Sequence, residues 1–205
     1  MERYQPVLDW IDGQHQRMVQ RVLSWAAINS GSTNTDGLGS MIGALATAFG
    51  GLGGTLEEIT LPDRELVDAG GELQNAPLGR ALRLIKRPEA RHKVLLAIHM
   101  DTVFAKDHPF QDCRYLDDNT VNGPGVADAK GGIAVMLTAL EALERSPFAE
   151  AIGFQVLLNP DEEIGSPGSA PESSTVAKAP PESSSPSSPS EPNASSPPLS
   201  TSSAV

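Results

Sequence analysis

The middle of the chain carries the sequence Val94-Leu-Leu-Ala-Ile-His-Met-Asp101. Five apolar residues in a row, without polar alternation, predict a strand that is buried on both faces of a mainly parallel sheet. His99 and Asp101 then lie at the carboxyl end of this strand, which is the edge where open α/β sheets bind ligands. Because residues two apart on an extended chain point the same way, we expect Asp101 to hold the imidazole of His99, as carboxylates do for metal-binding histidines.

Two later segments are predicted to bring carboxylates to the same edge. The glycine-rich loop GPGVADAKGG, residues 123–132, places Asp128 immediately before a helix. The segment NPDEEIGSPG, residues 159–168, follows another apolar run and places Glu162 and Glu163 side by side. A lone histidine at a strand end is more often a structural residue than a ligand. Three imidazole or acidic clusters at strand ends and a helix start together favour a metal site.

The composition of the chain changes near Ala170. Of the 35 residues from 171 to 205, 21 are Ser or Pro. The hydrophobic content of the whole chain, 39% with 4% aromatic residues, is low for its length because it includes this segment. A Ser/Pro segment of this kind cannot bury enough apolar surface to offset the entropy of ordering it. We therefore predict a disordered tail over residues 171–205. Residues 1–170 are long enough to form one domain with its own core.

The formal net charge of −11 argues against nucleic acid or an anionic membrane surface as a partner. Clustered carboxylates instead favour a multivalent cation. Cys113 is the single cysteine, so no intrachain disulfide can form. The first residues lack the apolar core of a signal peptide, and no apolar run is long enough to span a membrane, which predicts a cytoplasmic protein.

The spacing of apolar residues predicts an α/β domain with a mainly parallel sheet flanked by helices. Gly131 and Gly132, which are poor helix formers, stand in the first turn of the helix after Asp128 and indicate a close approach to a neighbouring strand or to the site. His15 and His108 are interpreted as surface residues. The predicted helices cover residues 12–28, 35–49 and the segment after Asp128. The predicted strands cover residues 55–61, 80–86, 94–98 and 153–158, and a hairpin is predicted at 114–122. A polar loop is predicted between the first two strands.

Three motifs, His99-Met-Asp-Thr-Val-Phe, residues 123–132 and residues 159–166, together resemble the zinc-dependent metallopeptidase family of aminoacylases, acetylornithine deacetylases, succinyl-diaminopimelate desuccinylases and glutamate carboxypeptidases. The motif sequences are most similar to the glutamate carboxypeptidase branch, and the likeness covers roughly residues 12–169. It implies two zinc ions per complete site, with cobalt as an alternative ion. It also implies cleavage of the amide bond of a small peptide or N-acyl amino acid with a free carboxylate.

The resemblance assigns a role to each motif residue. His99 would bind one zinc ion, Asp128 would bridge both ions, and Glu163 would bind the second. Asp101 would hold the ring of His99, and Glu162 would be the general base that activates water. The family also implies a cis peptide bond between Asp128 and Ala129.

The chain also departs from the family pattern. Members supply a further acidic ligand after the Glu-Glu pair and a histidine ligand near the chain's end, together with an inserted lid or dimerisation domain. No histidine follows His108 in this sequence, and we expect the chain to lack the family's dimerisation domain. Glu191 stands in the Ser/Pro segment, which cannot hold it in place as the missing acid.

Two hypotheses stay open at this stage. The chain is either a dinuclear zinc metallohydrolase or a non-catalytic, truncated fragment of one with an incomplete metal site. A shifted reading frame is favoured as the origin of the tail over a natural linker, because the tail ends with nothing to link.

Overall fold

The computed structural model of the chain describes residues 2–171, so the predicted tail lies outside the described residues except for Pro171. No helix in this part is both long and apolar enough to cross a bilayer, and the cytoplasmic location stays a prediction. Within residues 2–168 the α-helices are α1 (Gln5–Asp12), α2 (His15–Ala26), α3 (Thr35–Gly50) and α4 (Gly131–Glu144). The eight strands are β1 (Thr55–Ile59), β2 (Arg64–Val67), β3 (Leu73–Ala76), β4 (Ala81–Lys86), β5 (His92–His99), β6 (Arg114–Asp117), β7 (Thr120–Asn122) and β8 (Ile152–Asn159).

The three longer helices form where apolar residues recur at helical spacing. The helix predicted at 35–49 is confirmed as α3, and the Asn34 side chain caps it by accepting a hydrogen bond from the backbone N–H of Gly37. The helix predicted at 12–28 is shorter, because Gly13 ends α1 and α2 starts at His15. The sequence did not indicate α1, none of whose residues is buried.

The main sheet has four strands in the order β1-β4-β8-β5. The α/β class is confirmed, but only β5 and β8 are parallel, whereas β1 with β4 and β4 with β8 are antiparallel. The parallel pair arises because α4 carries the chain back across the sheet between β5 and β8. The connection from β4 to β5 is too short for such a crossover, so the chain reverses direction there. β8 therefore separates β5 from β1 and β4.

The expectation that residues 94–98 are buried on both faces is wrong for the described residues. β5 is an edge strand that pairs with β8 alone, and Val94 and Leu95 are 45% and 38% exposed. The helices cover one face of the sheet, and the other face has only a small cluster around Leu61, Ala81 and Leu157. The run is apolar enough for a buried strand, but no segment of residues 2–171 pairs with the outer edge of β5, so part of the run is exposed.

The core lies between one face of the sheet and helices α2, α3 and α4. Along β4, β5 and β8 every second residue points to this layer, as the strand period requires. The predicted close approach at Gly132 is confirmed, because a Cβ atom there would lie 2.7 Å from Cδ1 of Ile98 on β5. The largest fully buried apolar side chains of this layer are Leu38, Met41, Leu45, Phe49, Leu82, Leu84, Met100, Ile133, Leu137 and Leu158.

Two small hairpins lie outside the main sheet. The predicted hairpin is confirmed as β6 and β7, and its turn is held by a hydrogen bond from the Asn119 N–H to the Asp117 carboxylate. The predicted polar loop over residues 62–79 contains a second hairpin, β2 and β3. Its residues are mostly exposed, so they lack the alternation that marks a half-buried strand.

Packing of α4 on the sheet provides a test of the core. Leu137 is fully buried, so Leu137→Ala should lower the free energy of unfolding by about 2–5 kcal/mol through lost burial and a residual cavity. Val135 lies two residues away and is 56% exposed, so Val135→Ala should change the free energy of unfolding by less than about 0.5 kcal/mol. Urea denaturation of both variants measures the difference, and equal losses would contradict this packing.

Candidate metal centre

Three predicted ligand residues come from different parts of the chain and meet at one edge of the sheet. His99 ends β5, Asp128 lies in the irregular turn Val126–Lys130 before α4, and Glu163 lies in a short 3-10 turn after β8. Because β5 and β8 are parallel, the segments that follow them leave the sheet at the same edge. One ligand atom from each of the three residues lies within 4.8 Å of the others.

Both ring nitrogens of His99 face oxygen acceptors. Nδ1 lies 3.3 Å from a carboxylate oxygen of Asp101 and 3.2 Å from the backbone oxygen of the same residue. Nε2 lies 2.9 Å from Oδ1 of Asp128. The expected contact between Asp101 and the His99 imidazole is therefore present. Two acceptors at Nδ1 fix the proton on that nitrogen, which leaves Nε2 as the atom that can bind either a second proton or a metal.

The electrostatics of His99 follow from this geometry. The Asp101 carboxylate is the main cause that raises the pKa of His99 from 6.5 to about 9, and the Asp128 carboxylate adds to it, whereas burial acts in the opposite direction. Burial, with the charge of Asp128 next in importance, raises the pKa of Glu163. The cluster thus holds more negative charge than its neighbours compensate, and a cation is favoured between these groups.

Asp101 is fully buried, and its carboxylate accepts hydrogen bonds from several directions. Oδ1 accepts from His99 Nδ1 and, at 3.2 Å, from the backbone N–H of Glu162. Oδ2 accepts from the backbone N–H of Glu163 at 3.1 Å and from the Ser32 hydroxyl at 2.7 Å. These donors provide hydrogen-bond partners for both oxygens of the buried carboxylate.

Glu162 and Glu163 take different positions although they are adjacent. They begin a 3-10 turn, Glu162–Ile164. Glu163 is half-buried and joins His99 and Asp128, whereas the Glu162 side chain is exposed beside the cluster. The turn separates the two side chains and leaves Glu162 free of the ligand set.

The donor set fits a zinc-type ion. One imidazole nitrogen and carboxylate oxygens are the atoms that zinc binds outside all-cysteine sites. Ligand atoms of a tetrahedral zinc ion lie about 3.4 Å apart, given bond lengths of about 2.1 Å. This value is longer than the 2.9 Å between His99 Nε2 and Asp128 Oδ1. It is shorter than 4.8 Å, within which the ligand atoms of His99, Asp128 and Glu163 all lie from one another.

Three features around the cluster complete its geometry. The Asp128–Ala129 peptide bond is cis, as the resemblance implies. Lys130 is buried and its Nζ donates to the Ile28 backbone oxygen at 2.9 Å, which ties the Asp128 loop to the end of α2. Burial lowers the pKa of Lys130 to about 8. Sequence reasoning missed Lys130 and Ser32, because neither has a ligand-type side chain at a recognisable spacing.

Comparison with known proteins shows a family likeness. Residues 95–183 match the model of peptidase family M20/M25/M40. Over these residues the chain is similar to that family. Carboxypeptidase G2 of Pseudomonas sp. (strain RS-16) is 41% identical over 76 residues, which are 37% of this chain and 18% of that enzyme. A probable carboxypeptidase of Aspergillus terreus is 39% identical over 80 residues, again 18% of its length. Both relatives agree with the glutamate carboxypeptidase branch.

Solved structures extend the likeness to most of the described fold. Human carnosine dipeptidase 1 superposes with a TM-score of 0.62 at 20% identity, over 78% of this chain and 35% of the dipeptidase. At this identity the likeness concerns the fold. The chain thus spans about a third of that structure and a smaller part of the two curated relatives.

The raised pKa of His99 predicts how pH affects the metal-free chain. A protonated His99 stabilises the fold below pH 6.5, and this contribution is lost as pH rises towards about 9. The difference in free energy of unfolding between the chain and His99→Gln should therefore shrink by roughly 2–3 kcal/mol over this window. His92→Gln, at the exposed start of the same strand, serves as the control. A difference that is constant from pH 6 to 9.5 in urea denaturation would contradict the pairing of His99 with two carboxylates.

Proposed function

We propose that residues 1–170 form part of the catalytic domain of a zinc-dependent metallohydrolase that cleaves an amide bond in a peptide or an N-acyl amino acid. The substrate carries a free carboxylate next to the scissile bond, as the carboxypeptidase relatives suggest by name. In this proposal His99, Asp128 and Glu163 are the metal ligands, with Asp128 shared between two ions. Residues 171–205 are proposed to be a separate Ser/Pro-rich tail.

The proposal rests chiefly on one observation. Three side chains that are far apart in the sequence place a nitrogen and two carboxylate oxygens within 4.8 Å of one another, and a fully buried carboxylate stands behind the histidine. Carboxylates crowd together at a cost unless a cation lies between them. A histidine backed by a carboxylate is the usual arrangement of a metal-bound imidazole.

Each residue has a chemical task in this proposal. Zinc bound to these ligands would polarise the scissile carbonyl and make a nearby water more acidic. Asp101 keeps the proton of His99 on Nδ1, so that Nε2 faces the ligand side. Glu162 is exposed beside the cluster and outside the ligand set, so its carboxylate can take a proton from the attacking water and pass it to the leaving amine.

A second candidate function has its own observation. If two ions share Asp128, the described residues supply two protein ligands to each ion, whereas catalytic zinc usually has three. We propose that a complete site takes further ligands from protein outside residues 2–171. The 205-residue chain by itself would then be a non-catalytic fragment that binds zinc weakly.

The role of Glu162 is tested in a polypeptide that joins this domain to the rest of a family catalytic domain. Glu162→Gln keeps the shape of the side chain but removes the base, so kcat on C-terminal glutamyl peptides and N-acyl amino acids should fall by about 10²–10⁴ with KM little changed. Glu72→Gln, on the exposed β2–β3 hairpin, should leave both constants unchanged. Full activity of Glu162→Gln would remove the assignment.

The incomplete ligand set is tested on the 205-residue chain itself. Calorimetric titration with zinc should give weak binding, reduced by at least about tenfold in Asp128→Asn, because that change removes a shared ligand. Asp117→Asn, which changes a hairpin-turn carboxylate away from the cluster, is the matched control. Two tight sites per chain, or appreciable hydrolysis, would show that this chain is a complete enzyme.

A further inference from the structure

We infer that Ser32 is a positioning residue that fixes the Asp101 carboxylate and, through it, two of the metal ligands. The inference rests on the proposed metal site and assigns a role to a residue that lies more than sixty positions from any motif. The Ser32 hydroxyl donates to Oδ2 of Asp101 at 2.7 Å, which is the shortest of the contacts to that carboxylate. Ser32 is 6% exposed and Asp101 is fully buried, so water does not compete for this hydrogen bond.

The backbone around Ser32 holds the hydroxyl in place. Gly31 and Thr102 form a parallel β-bridge, in which the Ser32 N–H donates to the Thr102 oxygen at 3.2 Å and the Thr102 N–H donates to the Ser30 oxygen at 3.0 Å. A Cβ atom at Gly31 would lie 2.2 Å from the Phe104 backbone oxygen, so only glycine allows the two segments to come this close. The loop between α2 and α3 is thus attached to the chain that follows β5.

The carboxylate that Ser32 contacts connects two ligands. Its two oxygens bind His99 Nδ1 on one side and the backbone N–H of Glu163 on the other. Any rotation of the carboxylate moves both contacts at once, so its orientation sets the distance between the imidazole and the Glu163 turn. Loss of the Ser32 hydroxyl leaves Oδ2 short of a donor in a buried site, and the carboxylate should then rotate to recover one.

Ser30 provides a matched control on the same segment. The residue is fully buried, and its hydroxyl donates to the Met100 backbone oxygen at 2.8 Å and not to the Asp101 carboxylate. Ser30→Ala therefore removes a buried hydroxyl and a hydrogen bond of similar kind between the same two segments. Any effect that depends only on attaching the loop should appear in both alanine variants, whereas an effect through the carboxylate should appear only in Ser32→Ala.

Hydrogen exchange in the metal-free chain tests the inference without any metal. Ser32→Ala should lower the protection of the Glu162 and Glu163 amides by roughly tenfold, while the β8 amides of Val156 and Leu157 keep theirs. Ser32→Thr retains a hydroxyl and should restore the protection. Ser32→Cys is close in size but a weak donor, so its Glu162 and Glu163 amides should have a protection between those of the alanine variant and the unaltered chain. This cysteine variant replaces Ser32→Ala if the alanine variant does not fold. The role of Ser32 would be overturned if the Glu162 and Glu163 amides kept their full protection in the alanine or cysteine variant. An equal loss of protection in Ser30→Ala would overturn it too.

Titration with cobalt(II), followed by its visible absorption, measures the consequence for metal binding. Ser32→Ala should weaken cobalt affinity by roughly 10–100-fold relative to the unaltered chain, and Ser30→Ala should not. Equal cobalt affinity in the unaltered chain and Ser32→Ala would also overturn the inference. Failure of the unaltered chain to bind cobalt would contradict the proposed metal site instead, and the exchange experiment would still decide whether Ser32 orients Asp101.

Discussion

The hydrogen bonds to the buried Asp101 carboxylate form the constraint on which the site depends. An ionised carboxylate with no exposure is costly unless donors surround it. The donors come from three separate segments, namely the end of β5, the loop before α3 and the turn after β8. Each segment can satisfy the carboxylate only if its backbone is in the right place, so one buried charge fixes the relative position of all three.

The sheet topology supplies the second requirement. His99 and the Glu163 turn can meet because β5 and β8 run parallel and end at the same edge, and α4 makes the crossover between them. The same crossover begins just after Asp128, so the third carboxylate reaches this edge from the helix side. Two antiparallel pairings extend this parallel pair to the four strands of the described sheet, on the side away from β5.

The charge balance at the edge explains why a cation is favoured there. His99 lies between the carboxylates of Asp101 and Asp128, and Glu163 is close to both the imidazole and Asp128. In the metal-free chain a second proton on His99 partly compensates for the carboxylates, and for that reason its pKa is raised. A metal ion at Nε2 would replace this proton and would compensate more negative charge.

The sequence by itself determined the parts that depend on local pattern. The apolar run before His99, the glycine loop around Asp128 and the adjacent acids at 162 and 163 were enough to predict an α/β domain, a cluster of imidazole and carboxylate groups at one sheet edge, and a contact between Asp101 and the His99 ring. Helix α3, helix α4 and the β6–β7 hairpin followed from periodicity and turn residues. These features are readable because each is specified by residues close together in the chain.

Tertiary structure alone decided the rest. The placement of β8 between β4 and β5, and with it the mixed direction of the sheet, depends on how strands separated by many residues pair. The exposed outer edge of β5 depends on which segments cover it, and an apolar run is the same whether or not a neighbour is present. Ser32 became visible as a partner of Asp101 only once the loop at 30–32 lay against residues 100–102, because a serine hydroxyl acquires its role from the buried acceptor it meets in the fold.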